Sequence, residues 1–156
     1  MLLKRNTPQN IVIGGIPGAM PPLIGWAAVT NNLSLEPFIL FLIIFLWTPP
    51  HFWSLALKSN GDYKLAKIPM FPVVFGRAVT LRYILIYTVL LVVVSTLPFF
   101  LDMVSVYYFV FALFLGAIFI YCAVRMFSDD TYYLKTFKYS IFYLFLLFLL
   151  LARNKL

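Results

Sequence analysis

The run Trp47-Thr48-Pro49-Pro50-His51-Phe52-Trp53 lies inside an uncharged stretch of 21 residues, Pro37–Leu57, bounded by Glu36 and Lys58. A helix of that length covers about 30 Å, the hydrocarbon thickness of a bilayer. The two prolines withhold two amide donors and strand the carbonyls of Phe45 and Leu46. His51 is the only histidine in the chain. An ionisable ring at such depth is costly to keep, and in membrane proteins it marks a place that binds or moves something. The residues alone leave two readings of it. In one, the imidazole bonds a stranded carbonyl while Trp47 and Trp53 form an interfacial belt. In the other, it ligates a metal or contacts a substrate, and the aromatic faces stabilise a cation. The lack of a second histidine argues against a multi-histidine metal site. A single axial bond to a porphyrin iron needs no second one.

Working outward, the same apolar character extends over the whole chain of 156 residues, 63% hydrophobic and 11% charged. Soluble domains carry about 25% charged residues. Spans are expected at 11–29, 37–57, 83–101, 103–124 and 139–152. The last holds only 14 residues between Lys138 and Arg153, with both flanking cations able to snorkel. The expected fold is an all-α polytopic transmembrane helical bundle of about five spans. No soluble domain can be cut from the chain and no internal repeat is evident. The one cysteine, Cys122, falls inside a span and reads as packing.

Charge placement sets the expected orientation. Lys4 and Arg5 precede the first span, and five cations (Lys58, Lys64, Lys67, Arg77, Arg82) fall between the second and third. Arg125, Lys135 and Lys138 fall between the fourth and fifth, while the intervening connections carry no Lys or Arg. By the positive-inside rule the N-terminus and the loop 58–82 face the cytoplasm. Arg153 and Lys155 then fall outside, a minor conflict. The net charge of +7 thus reports topology and anionic headgroups, with no nucleic acid as partner.

Two other regions are unusual. In the first span Pro17 withholds a bond from Ile13, and Pro21 and Pro22 repeat this one turn later. Gly14 and Gly18 share a face, which suits close helix packing or a kinked wall beside a ligand. In the loop 58–82, Lys58, Lys64, Lys67, Arg77, Arg82 and Asp62 fit either a cationic loop on anionic lipid or a lid over a polyanion, with Asp62 free to touch a divalent metal. The adjacent Asp129 and Asp130 point about 100° apart on a helix and read as solvated surface.

The run Thr7-Pro8-Gln9-Asn10-Ile11-Val12-Ile13-Gly14-Gly15, with Gly18-Ala19, Pro21-Pro22 and Gly25-Trp26 after it, resembles the protoheme IX farnesyltransferase (heme o synthase) family. So does Trp47–Trp53, and so do Asp62-Tyr63, Ala66, Pro69-Met70 and Pro72-Val73-Val74. That family belongs to the UbiA-type intramembrane prenyltransferases. The resemblance implies that the five spans correspond to the second half of a nine-helix fold. It implies transfer of a farnesyl group from farnesyl diphosphate to a vinyl carbon of heme b, with water completing heme o and pyrophosphate leaving. Mg²⁺ accompanies the diphosphate. The resemblance assigns His51, Asp62 and Tyr63 to catalysis, with His51 orienting or ligating heme. It assigns Lys58, Lys64, Lys67 and Arg77 to the diphosphate and Asp62, alone or with Tyr63, to Mg²⁺. Asn10, Trp47, Phe52 and Trp53 complete the substrate-binding set. The superfamily's first aspartate-rich motif lies in an N-terminal half that this sequence lacks. Its second is reduced here, since Ala66 stands four residues after Asp62. The expected partners are membrane lipid, heme b, farnesyl diphosphate and an N-terminal half-protein. The expected location is a bacterial inner membrane or the mitochondrial inner membrane. Two alternatives stay open: a UbiA-type enzyme acting on a quinone precursor, and a non-catalytic polytopic membrane protein. The absence of intramembrane carboxylates weighs against proton-coupled transport.

Overall fold

Prolines and left-handed residues punctuate the chain, and the long apolar runs between them form helices. In the computed structural model, which describes residues 7–154, the elements are α1 (Asn10–Ala19), α2 (Pro21–Thr30), α3 (Leu35–Lys58), α4 (Asn60–Leu65), α5 (Phe71–Phe100), α6 (Val106–Arg125) and α7 (Tyr132–Asn154). Five segments are long and apolar enough to cross a membrane, with α1 and α2 counted together. The topological cations Lys4, Arg5 and Lys155 lie outside the described residues.

Three expectations need correction. The first span is two helices: Met20 joins them, because Pro21 and Pro22 suit the first turn of a new helix and cannot extend the old one. The third span starts at Phe71 rather than Tyr83, so only residues 66–70 of the expected loop join α4 to α5. Gly76, at φ 79° and ψ 172°, interrupts α5 and turns its first five residues away from the remainder. The fifth span belongs to a helix of 23 residues, longer than the 14 expected. Lys135 and Lys138 belong to that helix as exposed side chains, and Lys135 Nζ sits 4.3 Å over the ring of Tyr132. A lysine can ride on a spanning helix near its end because its stem is apolar.

The helix α3 is the hub, packing on α1, α2, α5 and α7, while α6 closes the bundle between α5 and α7. It runs unbroken through Pro49 and Pro50. Thr48 Oγ1 donates to the Ile44 carbonyl at 2.9 Å just before the prolines, and Ser54 Oγ donates to the His51 carbonyl at 2.8 Å just after them. One apolar core gathers Ile43, Leu91, Phe119, Tyr143 and Leu147; a second, nearer α4, gathers Trp53, Phe71, Leu81, Ile84 and Met126. Small residues set two close crossings. A Cβ on Gly116 of α6 would stand 2.7 Å from both methyls of Val92 on α5. A Cβ on Gly15 of α1 would stand 3.2 Å from Cγ2 of Thr48. The packed face of α1 is therefore Gly15 and Ala19, both buried, rather than Gly14 and Gly18, which meet open space.

Candidate active site

A cavity of about 340 Å³ lies between α1, α3 and the α4 region. Asn10, Ile11 and Gly14 contribute from α1; Thr48, Phe52 and Leu55 from one stripe of α3; Tyr63, Ile68 and Met70 from α4 and the connection that follows it. Three residues assigned to the site from sequence, Asn10, Phe52 and Tyr63, thus meet on one wall system. Ile11, Gly14, Thr48, Leu55, Ile68 and Met70 were not among the assigned residues. Thr48 and Met70 lie inside the quoted motifs, and spacing of three and four along α3 links Thr48 to Phe52 and Leu55. Asn10 is 95% buried, the first buried position of α1 (relative exposure 5%). Its Nδ2 donates to Sδ of Met70 at 3.7 Å, while Oδ1 meets no donor.

His51 is held on the adjoining face of α3, one helical turn from both Thr48 and Leu55, at the seam with α7. Its ring stacks on Trp47 (centroids 4.1 Å apart) and on Phe137 (4.6 Å), and Phe52 meets it edge-on at 4.9 Å. Nδ1 lies 2.7 Å from Ser140 Oγ. Ser140 donates its own hydroxyl hydrogen to the Phe137 carbonyl at 2.6 Å. Its oxygen therefore accepts from His51, which places the proton on Nδ1 and the ring's lone pair on Nε2. Neither proline-freed carbonyl takes the ring. Trp47 Nε1 adds a 2.7 Å bond to the Ser140 carbonyl. Trp47 also lines a second, apolar cleft of about 340 Å³ with Ile44, Ile141, Leu144, Phe145 and Phe148. Trp53, 1% exposed, lines neither cavity: it stacks on Phe71 at 4.4 Å with Tyr83 and Tyr87 at its edges.

The charged candidates divide into two groups. Lys58 ends α3, and Asp62, Lys64 and Lys67 project from the lid, all exposed. Lys67 adopts φ 52°, a left-handed conformation that ends the short helix. Arg77 is engaged elsewhere. Its Nε donates to the Tyr133 hydroxyl at 2.6 Å, and its Nη2 reaches the carbonyls of Met126 and Phe127 and Oδ1 of Asp130 at 3.0–3.1 Å. It thereby fastens the start of α5 to the α6–α7 connection. Asp130 is a partner in the ion pair rather than mere surface. The Tyr133 hydroxyl and then Arg77 hold its carboxyl below the usual carboxylate range. Among the described residues no three metal-ligating side chains cluster. Asp62 alone is one ligand and does not make a protein-held Mg²⁺ site.

The profile described as the UbiA prenyltransferase family matches residues 1–152. The chain belongs to the UbiA prenyltransferase family. Similar UbiA relatives include the protoheme IX farnesyltransferases of Neorickettsia sennetsu (54% identical over 146 residues, 94% of this chain and 48% of the relative) and Rickettsia massiliae (55% over 152 residues, 96% and 50%). That of Thioalkalivibrio sulfidiphilus is 52% identical over 153 residues, covering 97% of this chain and 51% of the relative. The UbiA chain spans about half the length of the curated relatives it matches. No solved structure matches it significantly.

Proposed function

We propose that this chain supplies one half of a farnesyl-transfer chamber, converting heme b to heme o together with an N-terminal half. The convergence of Asn10, Phe52 and Tyr63 on one cavity, backed by His51 with its lone pair on Nε2, is the observation that carries the reading. The names of the similar proteins support it.

The chemistry follows from the residues. Ionisation of an allylic diphosphate needs the leaving charge neutralised. Lys58, Lys64 and Lys67 are exposed on or beside the lid for that role, with Asp62 as one oxygen for a diphosphate-borne Mg²⁺ and Tyr63 as a donor beside it. The lid places the polar part of the substrate at the rim. The apolar walls, with Phe52 among them, suit the isoprenoid chain and exclude water from an allylic cation. Since Nδ1 of His51 is committed to Ser140, Nε2 is the atom that meets a porphyrin, as iron ligand or by orienting it. Trp47 stacks on the same ring and flanks the apolar cleft where a flat macrocycle would lie. Arg77 serves the site indirectly, by fixing the lid-proximal end of α5. In a bacterial inner or mitochondrial inner membrane, the lid and the N-terminus would face the cytoplasm or matrix.

Co-expression with the N-terminal half of a similar relative tests the proposal. Heme o should appear in extracted pigments, and His51→Ala should abolish it. Normal heme o from the His51→Ala pair would remove that ring from the mechanism. A prenylated quinone precursor in place of a porphyrin would move the activity to another acceptor, and no prenylated product at all would favour a non-catalytic role.

A further inference from the structure

We infer that Gly14 sets the length of isoprenoid the chamber accepts: the space left by its missing side chain receives the last isoprene unit of a fifteen-carbon chain. This rests on the farnesyl-transfer reading. Gly14 is an exposed position on the wall of the cavity of about 340 Å³, and a Cβ built on it meets no other atom within 4 Å. Glycines kept for close packing meet a neighbour, as Gly15 meets Thr48 and Gly116 meets Val92. Among the described residues Gly14 meets none. At about 100° per residue it falls between Asn10 and Ile11 around α1, and both of those line the same cavity. A side chain at this position therefore points into the cavity, away from the packed face of Gly15 and Ala19.

The cavity has a direction. Lys58 stands one turn beyond Leu55 on α3, and Lys64 directly follows Tyr63, so the cations gather at one end. Asn10 Nδ2 reaches Sδ of Met70 at 3.7 Å and holds the start of α1 to that end. Gly14 lies one turn further along α1, at the level where Gly15 crosses Thr48. Thr48 precedes Lys58 by ten residues, about 15 Å along the helix. The main chain of a farnesyl group has twelve carbons, and its eleven bonds of about 1.5 Å, drawn out in a zigzag, reach about 14 Å. With the diphosphate beside Lys58, the terminal isoprene unit ends beside Thr48 and Gly14. The lining residues carry no charge, so the cavity suits hydrocarbon and leaves the diphosphate at the rim. A ten-carbon geranyl chain stops short of Gly14, so a side chain there obstructs the longer substrate and spares the shorter one.

The test is a competition. Geranyl, farnesyl and geranylgeranyl diphosphates at equal concentration are supplied with heme b to membranes holding this chain and the N-terminal half of a similar relative. Mass spectrometry of the extracted porphyrins reads the chain transferred. The wild-type pair should transfer mainly farnesyl. In a filled pocket one methylene discriminates by about 10–200-fold, so the four-carbon side chain of Gly14→Leu should raise the geranyl-to-farnesyl ratio by at least about tenfold. Gly14→Ala should raise it less, in the same direction. Gly18→Leu is the control: it also replaces a helical glycine that meets open space, but does not line the cavity, and should leave the ratio unchanged.

An unchanged ratio in Gly14→Leu, with or without a fall in total product, overturns the inference and leaves farnesyl transfer standing; a fall alone would assign Gly14 to contact with the other half. An equal shift in Gly18→Leu also overturns it. Where Gly14→Leu yields no product, Gly14→Ala decides: a raised ratio supports the inference and an unchanged one overturns it. No prenylated porphyrin from the wild-type pair defeats the farnesyl-transfer reading itself, and the inference with it.

Discussion

Gly116 of α6 faces the two methyls of Val92 on α5 so closely that an added Cβ would stand 2.7 Å from each. Real methyl groups do not approach to that distance, so the helices must part or Val92 must leave its rotamer. Overpacking of a tight core costs about 1–3 kcal/mol. Gly116→Ala should lower the apparent Tm in detergent micelles, and adding Val92→Ala should restore most of the loss. An unchanged Tm in the single variant would mean that the crossing is looser than this geometry.

Gly76 carries φ 79° and ψ 172°, a region that only glycine occupies freely. Any side chain there is strained by about 1–3 kcal/mol. No neighbouring atom lies near a Cβ at this position, so the cost is of backbone origin alone. Gly76→Ala should weaken the turn that brings Phe71 onto Trp53. Limited proteolysis at Lys64 and Lys67 should then accelerate, while α6 and α7 stay protected.

Arg77 and Asp130 form an ion pair whose side chains are 45% and 71% exposed. An exposed pair of that kind contributes little by itself. The weight of Arg77 lies in its bonds to Tyr133 and to the carbonyls of Met126 and Phe127. Arg77→Lys keeps the charge but not the planar fork, and should destabilise nearly as much as Arg77→Ala. Asp130→Asn should cost much less. Retained stability in Arg77→Lys would show that charge alone suffices.

The same cluster fixes a pH response. The Asp130 carboxyl is held below the usual carboxylate range by the Tyr133 hydroxyl and Arg77. A group lowered on folding binds its proton more readily in the unfolded chain. Its contribution is therefore complete above the ordinary carboxylate pKa and fades as pH falls through the lowered one. Between neutral pH and mild acid the stability of this connection should be flat, with a decline only in stronger acid. Asp130→Asn should flatten that decline in a Tm-against-pH series, and an unaltered decline would assign it to other carboxylates.

Ser140 links Phe137 and His51 through one oxygen. Ser140→Ala leaves the Nδ1 hydrogen of a buried ring without an acceptor, a cost of about 1–3 kcal/mol. Trp47 still bonds the carbonyl at that position, so the seam should loosen without coming apart. The readout is Tm together with the NMR tautomer signature of the single histidine. A wild-type signature in the variant would show that Ser140 does not set the tautomer.

The number of spans was legible because uncharged runs in this chain are long and their connections carry most of the charge. Boundaries were missed where a cation rides on a helix: Arg77 and Arg82 on α5, Lys135 and Lys138 on α7. Charge at a membrane edge reports depth, and helices continue past that depth. Gly14 and Gly18 were chosen for packing over Gly15 and Ala19 because a spacing of four fits both pairs, and only the neighbour Thr48 tells them apart. Asn10, Phe52 and Tyr63 emerged from motifs far apart in sequence, yet one cavity collects them. The partner of His51 left a trace in the sequence. Thr136, Ser140 and Tyr143 recur at intervals of four and three, and all three are buried on one face of α7. Arg77 was read as a diphosphate ligand from its charge, since nothing local announces that Tyr133 and two carbonyls await it.

One consequence of the Ser140 bond concerns insulation. Besides stacking on Phe137, the imidazole bonds the neighbouring helix through one ring nitrogen, and that bond uses a hydrogen it retains in either charge state. Its far edge can gain a proton, coordinate a metal or lose a ligand with no call on the helix contact. Chemistry at the ring's far edge and the bond that ties it to the next helix are therefore decoupled.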